Sequence, residues 1–100
     1  MVNKLLFTPE ADAQLRELEI RPDLVVASRA VKKALGYIEA NLRHPSLHTH
    51  VFTTLKGPNG QKVFESYAQN RTSGAYRIFW YYGSEDGIIV IAAIVRHPGI

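Results

Sequence analysis

Two aromatic and β-branched stretches near the C-terminus decide the fold: "AYRIFWYYG", residues 75–83, and "IIVIAAIVRHP", residues 88–98. Strands favour these residue types, and the short turn "SEDG" between the stretches predicts an antiparallel hairpin. The second stretch shows no polar alternation before Arg96, which predicts a central strand covered on both faces. Arg77 lies near the beginning of the first strand and His97 at the end of the second. The hairpin therefore brings Arg77 and His97 to the same end of the sheet.

The residues before this hairpin predict two further strands and two helices. "KLLF", residues 4–7, reads as a short edge strand, after which Thr8 can cap a helix that has Pro9 at its first position. A second helix follows and ends before Pro45, because the residue before a proline disfavours the helical conformation. Its apolar stripe consists of Leu24, Val31, Leu35, Ile38 and Leu42. Residues 45–61 are predicted to be a connection without a strand, and "KVFESYA" a strand that follows it.

This order predicts an α+β fold in one domain over residues 1–100: an N-terminal strand, a two-helix hairpin, and a three-stranded antiparallel meander. The helices should lie on one face of the sheet. A one-residue slip of a strand would exchange its two faces. The expected core pairs Leu15, Leu18, Val31, Leu35 and Ile38 of the helices with Ile78, Trp80, Ile89, Ile91 and Ala93 of the strands, or their alternate neighbours.

Composition excludes several classes of protein. The chain is 46% hydrophobic and 21% charged, which is typical of a folded globular domain. No apolar run approaches the roughly 20 residues of a membrane span, and Glu10 and Asp12 come too early for a signal peptide. The chain has no cysteine, so disulfides, zinc–thiolate sites and thiol catalysis are excluded. These features predict a cytoplasmic protein that does not bind membranes.

Positive charge is concentrated in the middle of the chain. The formal net charge is +3, but residues 29–62 contain six Lys and Arg residues and a single carboxylate, Glu39, which gives that stretch +5. Such an excess suits a polyanion partner. On charge alone, a solvated helix face with scattered surface lysines is the simpler interpretation.

The order and spacing of these pieces resemble the RelE/ParE superfamily of bacterial toxins, the toxin halves of type II toxin–antitoxin systems. The resemblance covers nearly the whole chain and is strongest at Leu55-Lys56-Gly57, at Tyr76-Arg77-Ile78 and at "VIAAIVRHP" from Val90. The last of these is similar to the C-terminal strand of the YoeB-like branch. The resemblance implies the family's fold, a cognate antitoxin, and cleavage of mRNA on the ribosome. A homodimer is compatible with it.

The cleavage that the resemblance implies is attack by a 2′-hydroxyl on the adjacent phosphate, which expels the 5′-oxygen of the next nucleotide. It needs proton transfer and a cation for the charged transition state, but no metal or cofactor. Arg77 matches the family's strand arginine that contacts the phosphate, and His97 the near-terminal catalytic histidine. Arg96 is a second phosphate candidate, and Glu65 a candidate general base. Four further residues are RNA-binding candidates: His50, Lys56, Lys62 and Arg71.

Three positions differ from the family pattern. The strand that carries lysines in RelE has none after Lys62, threonines 53 and 54 stand where YoeB-like members carry a glutamate, and the chain lacks a C-terminal tyrosine. Two alternatives to the nuclease therefore stay open: a ParE-like inhibitor of DNA gyrase, and a non-catalytic binding protein of the same fold. A metal site at His48 and His50 is disfavoured, because no carboxylate with ligand spacing lies near them.

Overall fold

The computed structural model describes residues 2–97 and confirms the α+β fold, with two α-helices packed on a five-stranded sheet. Short 3₁₀ turns at Pro22–Leu24 and Pro45–Leu47 precede the second helix and the second strand. The elements in chain order are β1 (Lys4–Phe7), α1 (Pro9–Ile20), α2 (Val25–Ala40), β2 (His50–Lys56), β3 (Lys62–Tyr67), β4 (Tyr76–Tyr82) and β5 (Ile88–Arg96). Within these residues, no helix combines the length and apolar character that crossing a bilayer requires.

The strand order across the sheet is β1-β5-β4-β3-β2. β1 lies at one edge, as predicted, and pairs in parallel with β5, while the other neighbouring strands are antiparallel. β4 is the central strand, and β5 lies beside it. The prediction that β5 is covered on both faces is wrong: its residues facing the helices are buried, whereas those between them are mostly half-buried. The helices cover only one face of the sheet. On the other face, the small and β-branched side chains of β5 are only partly shielded from solvent.

β2 lies within the segment that was predicted to contain no strand, so the antiparallel meander has four strands instead of three. It pairs only with β3, at the edge of the sheet, and six of its seven residues are exposed. An edge strand of this kind needs no apolar alternation, which explains why the hydrophobic pattern did not reveal it. The β-branched and aromatic run "VFTT" was the available signal.

The core lies between the helices and the face of the sheet that they cover. Thr8 caps α1 as predicted, since its Oγ1 accepts a hydrogen bond from the Ala11 backbone N–H over 3.1 Å. A β-bulge opposite Phe79 and Trp80 shifts the register of β5 by one residue, so that Ile94 joins the core in place of Ala93. The fully or nearly fully buried residues include Val31, Ile38, Leu47, Ile78, Trp80, Ile89, Ile91 and Ile94.

Two glycines should respond oppositely to substitution by alanine. A Cβ at Gly36, inside α2, would meet nothing within 4 Å, so we expect Gly36→Ala to stabilise the protein by about 0.5–1 kcal/mol. Gly87 has φ +81°, where a side chain is strained, so Gly87→Ala should cost about 1–2 kcal/mol. Urea unfolding of the two variants and wild type measures both shifts. Two shifts of the same sign would contradict this account.

Candidate active site

The sheet has an open face, which we define as the face turned away from α1 and α2. Side chains alternate along a strand, so the buried Ile78 and Trp80 face the helices while Arg77 and Phe79 lie on the open face. β3 follows the same rule, and the cross-strand pairing of Tyr67 with Arg77 brings its Tyr67 beside Arg77. We call His50, Glu65, Tyr67 and Arg77 the open-face cluster.

Arg77 is buried within the open-face cluster, with only 7% of its surface exposed. Its guanidinium carbon lies 3.7 Å from the centroid of the Tyr67 ring, a close cation–π contact. One Nη donates to the Gln69 carbonyl oxygen over 2.6 Å. The Nε atom lies 3.6 Å from Glu65 Oε2 and makes no hydrogen bond. A phosphate could approach this guanidinium only after displacing the Tyr67 ring or the Glu65 carboxylate.

His50 and Glu65 form a hydrogen-bonded pair next to Arg77. Glu65 Oε1 lies 2.7 Å from His50 Nε2, and His50 Nδ1 lies 2.8 Å from the His48 carbonyl oxygen. A carbonyl oxygen can only accept, so Nδ1 carries a proton, and a second proton must lie between Nε2 and the carboxylate. The Glu65 side chain is 6% exposed and that of His50 is 44% exposed. His50 is therefore the member of the pair that a substrate can reach.

A hydrogen-bond chain on the helix side of the sheet fixes the beginning of β2 and thereby positions His50. Ser66 is fully buried, and its hydroxyl accepts from Trp80 Nε1 over 2.8 Å. The same hydroxyl is 2.7 Å from the hydroxyl of Thr49, the residue before His50. The backbone pairing of His50 with Glu65 then sets the two side chains opposite each other.

The structure brings His97 to the same end of the sheet as Arg77. The His97 N–H donates to the Ala75 carbonyl oxygen over 2.7 Å, which continues the pairing of β4 and β5 by one residue. Strand alternation then directs His97 to the open face. Arg71 is exposed at the same end, in the loop between β3 and β4, with φ +60°. Pro98 and the residues after it lie outside the described residues.

Arg96 is placed on the opposite face from Arg77, because it pairs with Tyr76. It lines a groove on the helix side with Arg21 and Asp23, and its Nε lies 3.5 Å from the Gly74 carbonyl oxygen. The hydrogen bond from Arg21 holds the pKa of Asp23 below its ordinary value, and the charge of Arg96 contributes in the same direction. The expectation that Arg96 surrounds the same phosphate as Arg77 is therefore wrong.

Lys56 and Lys62 pair with each other at the far end of the β2–β3 hairpin. Lys56 lies six positions after His50 along β2, which corresponds to a distance of about 20 Å. The expectation that Lys56 lies around the Arg77 site is therefore also wrong. These two lysines could contact only a distant part of a long RNA.

Sequence reasoning missed two members of this neighbourhood, Tyr67 as the cover over Arg77 and His48 beside it. The His48 and Tyr67 ring centroids are 5.1 Å apart. Alternation from Glu65 would have placed Tyr67 on the same face, but nothing in the sequence indicated its stacking on Arg77. The loop histidines diverge, since His44 stacks on Tyr37 at 3.6 Å and His50 binds Glu65. Over residues 2–97, no three His, Asp or Glu side chains are grouped closely enough to hold a metal ion.

The arrangement of the whole chain matches known structures. RelE in the archaeal RelE–RelB complex from Pyrococcus horikoshii OT3 superposes with a TM-score of 0.66 and 11% identity, covering 100% of both chains. This chain has a RelE-like fold. The YoeB dimer from Staphylococcus aureus superposes with a TM-score of 0.60 and 15% identity, over 95% of this chain and 97% of that one. No protein-family model matches the chain, and no curated protein matches its sequence. The RelE-like fold therefore rests on three-dimensional shape.

Proposed function

We propose that this chain is the toxin of a type II toxin–antitoxin system and cleaves mRNA on the ribosome, in the cytoplasm. One observation carries the proposal. On the open face of a RelE-like fold, the proton-holding pair of His50 and Glu65 lies against the buried cation Arg77, at the sheet end where His97 also lies. Proton transfer and charge stabilisation are the two requirements for attack by a 2′-hydroxyl on a phosphate.

Each side chain has a distinct role in this mechanism. The 2′-oxygen forms a bond to phosphorus as the bond from phosphorus to the 5′-oxygen breaks. His97 accepts the proton of the 2′-hydroxyl. Once the Tyr67 ring is displaced, the guanidinium of Arg77 stabilises the negative charge on the phosphorane oxygens. The pair of His50 and Glu65 donates a proton to the departing 5′-oxygen. This assignment differs from the general-base role first expected for Glu65, because its carboxylate lies 2.7 Å from His50 Nε2 and is engaged by the imidazole.

The proposal is tested by adding the purified protein to a translation extract with labelled mRNA. We expect fragments with a 2′,3′-cyclic phosphate and a 5′-hydroxyl from ribosome-bound mRNA, and little cutting of the same mRNA without ribosomes. Intact mRNA in the complete extract would refute the proposal.

A non-catalytic role is the second candidate function, and one observation favours it. The Arg77 guanidinium already interacts with three groups of the protein. It lies near the Glu65 carboxylate, donates to the Gln69 carbonyl oxygen and stacks on the Tyr67 ring. If the open-face cluster only stabilises the sheet, the protein would bind a partner such as gyrase or an antitoxin without cutting RNA. The extract assay separates the two functions directly.

We expect a small acidic protein to bind the chain as its antitoxin, with a segment that lies across the sheet or the basic helix face and covers Arg77. The motive is the net charge of +5 over residues 29–62, together with the solved complex of RelE with RelB. Co-expression with the products of adjacent short reading frames, followed by pull-down, is the measurement. If no neighbour binds and the free protein leaves growth unchanged, this prediction fails. Alternatively, a second copy of this chain would occupy the same surface in a homodimer, the form in which the Staphylococcus aureus YoeB was solved.

A further inference from the structure

A groove of about 390 Å³ lies between α2 and the end of β3, beside the open-face cluster. Its volume falls in the range of about 300–1,000 Å³ that is usual for ligand sites. The walls are Lys33 and Tyr37 on one side and His48 and Tyr67 on the other. The space between these walls is left by the small side chains of Ala30, Ala34 and Ala68. Polar groups of the lining come from Ser46, Gln69 and Asn70.

Two residues join this groove directly to Arg77. Tyr67 lines the groove and also stacks on the Arg77 guanidinium, with 3.7 Å from its ring centroid to the guanidinium carbon. Gln69 lines the groove, and its carbonyl oxygen accepts from Arg77 over 2.6 Å. A ligand that fills the groove would therefore lie next to any phosphate held by Arg77.

The lining has the chemistry that recognises a nucleobase. Aromatic and imidazole rings stack on the flat faces of bases. The amide oxygens of Gln69 and Asn70 accept from the backbone N–H groups of Tyr76 and Arg71, which leaves their amide NH₂ groups to donate to acceptors on a base edge. Lys33, which lies 5.9 Å from the centroid of the Tyr37 ring, supplies a positive charge at the groove. Lys33 is the one cation among the residues that line the groove, and a single cation suits contact with one RNA phosphate.

From these observations we infer that the groove binds the base of the nucleotide adjacent to the phosphate at Arg77, with single-stranded RNA as the ligand. The inference rests on the proposed function and adds a base-binding subsite to it. A base placed there would set which phosphate reaches Arg77 and His97. The groove would thus give the enzyme its preference among cleavage positions.

The test is binding of RNA that cannot be cleaved, followed by NMR of the full-length protein. The probe is a 2′-O-methyl trinucleotide, and its control is the same backbone without bases. We expect the trinucleotide to shift the amide signals of Lys33, Ser46 and Asn70, and the abasic control to leave them in place. Replacing Tyr67 with Leu should weaken trinucleotide binding by about 10-fold or more, because stacking on an aromatic ring is lost.

Adjacent lysines offer a matched pair of variants. Lys33 lines the groove, whereas Lys32 lies away from it and pairs with Glu19 over 2.9 Å. Lys33→Gln should weaken trinucleotide binding several-fold, and Lys32→Gln should leave it near wild type. Equal effects of the two variants, equal shifts with the abasic control, or no shifts at the groove would each overturn the inference. Because cleavage is not involved, groove binding without activity in the extract would contradict the nuclease proposal and leave the subsite standing.

Discussion

Replacing Arg77 with Ala is expected to reduce cleavage of ribosome-bound mRNA by a few hundred-fold. The guanidinium lies against the pair of His50 and Glu65, and losing one donor to a developing oxyanion costs about 3 kcal/mol of transition-state stabilisation. Cleavage rates of wild type and variant in the translation extract measure the effect. If wild type cuts and Arg77→Ala cuts equally fast, Arg77 is not part of the site.

Loss of folding must be separated from loss of catalysis in this variant. Arg77 and Glu65 are both more than nine-tenths buried, and removing one partner of a buried ion pair costs about 3–5 kcal/mol of stability. Arg77→Lys keeps the charge but loses the planar fork, so it should fold better and still cut slowly. Arg29→Ala removes one cation from the exposed face of α2 and should keep wild-type activity. Urea unfolding of each variant shows whether its loss of activity is accounted for by a loss of folding stability.

Replacing His97 with Ala is expected to slow cleavage by about 10²–10⁴-fold, the usual cost of losing a general base. Urea unfolding of the variant gives its stability, so that a loss of folding is separated from a loss of catalysis. The same extract assay gives the rate. A variant that folds and cuts at the wild-type rate would remove His97 from the mechanism.

A sulfur substitution distinguishes the roles of His97 and Glu65. An mRNA with sulfur in place of the leaving 5′-oxygen needs no proton on its leaving group, because a thiolate leaves readily. Glu65→Gln should therefore lose less activity on this mRNA than on the all-oxygen mRNA, whereas His97→Ala should be slowed equally on both. The opposite pattern would exchange the acid and base roles proposed above.

Much of the fold could be predicted from sequence because its signals are local. The cap at Thr8 and the apolar stripe of α2 depend only on neighbouring residues. The β4–β5 hairpin follows in the same way from its turn. β2 escaped prediction, since an exposed edge strand carries little hydrophobic pattern. The bulge in β5 also escaped, because an extra residue in a strand depends on its pairing partner and leaves no periodic mark.

The candidate site was predictable in part, for the same physical reason. Hairpin geometry alone brought Arg77 and His97 to one end of the sheet. Glu65 was named as a candidate general base, but the strand register that places it beside Arg77 came from the structure. The contact of His50 with Glu65 depends on β2, so it could not be found while β2 was taken for a loop. Arg96 pairs with Tyr76, the neighbour of Arg77, so the two arginines lie on opposite faces of the sheet. The alternation of side chains along β5 could have predicted this, because Arg96 and His97 are adjacent and cannot share a face.

The central claim is that a 2′-hydroxyl of ribosome-bound mRNA attacks a phosphate held at Arg77. Its most direct test is a pair of mRNAs that differ only at the mapped cleavage site, where one carries a 2′-deoxynucleotide. With wild-type protein in the translation extract, we predict cutting of the all-ribose mRNA and no cutting at the deoxy position. Equal cutting of both mRNAs, or fragments that end in a 3′-hydroxyl, would contradict the account.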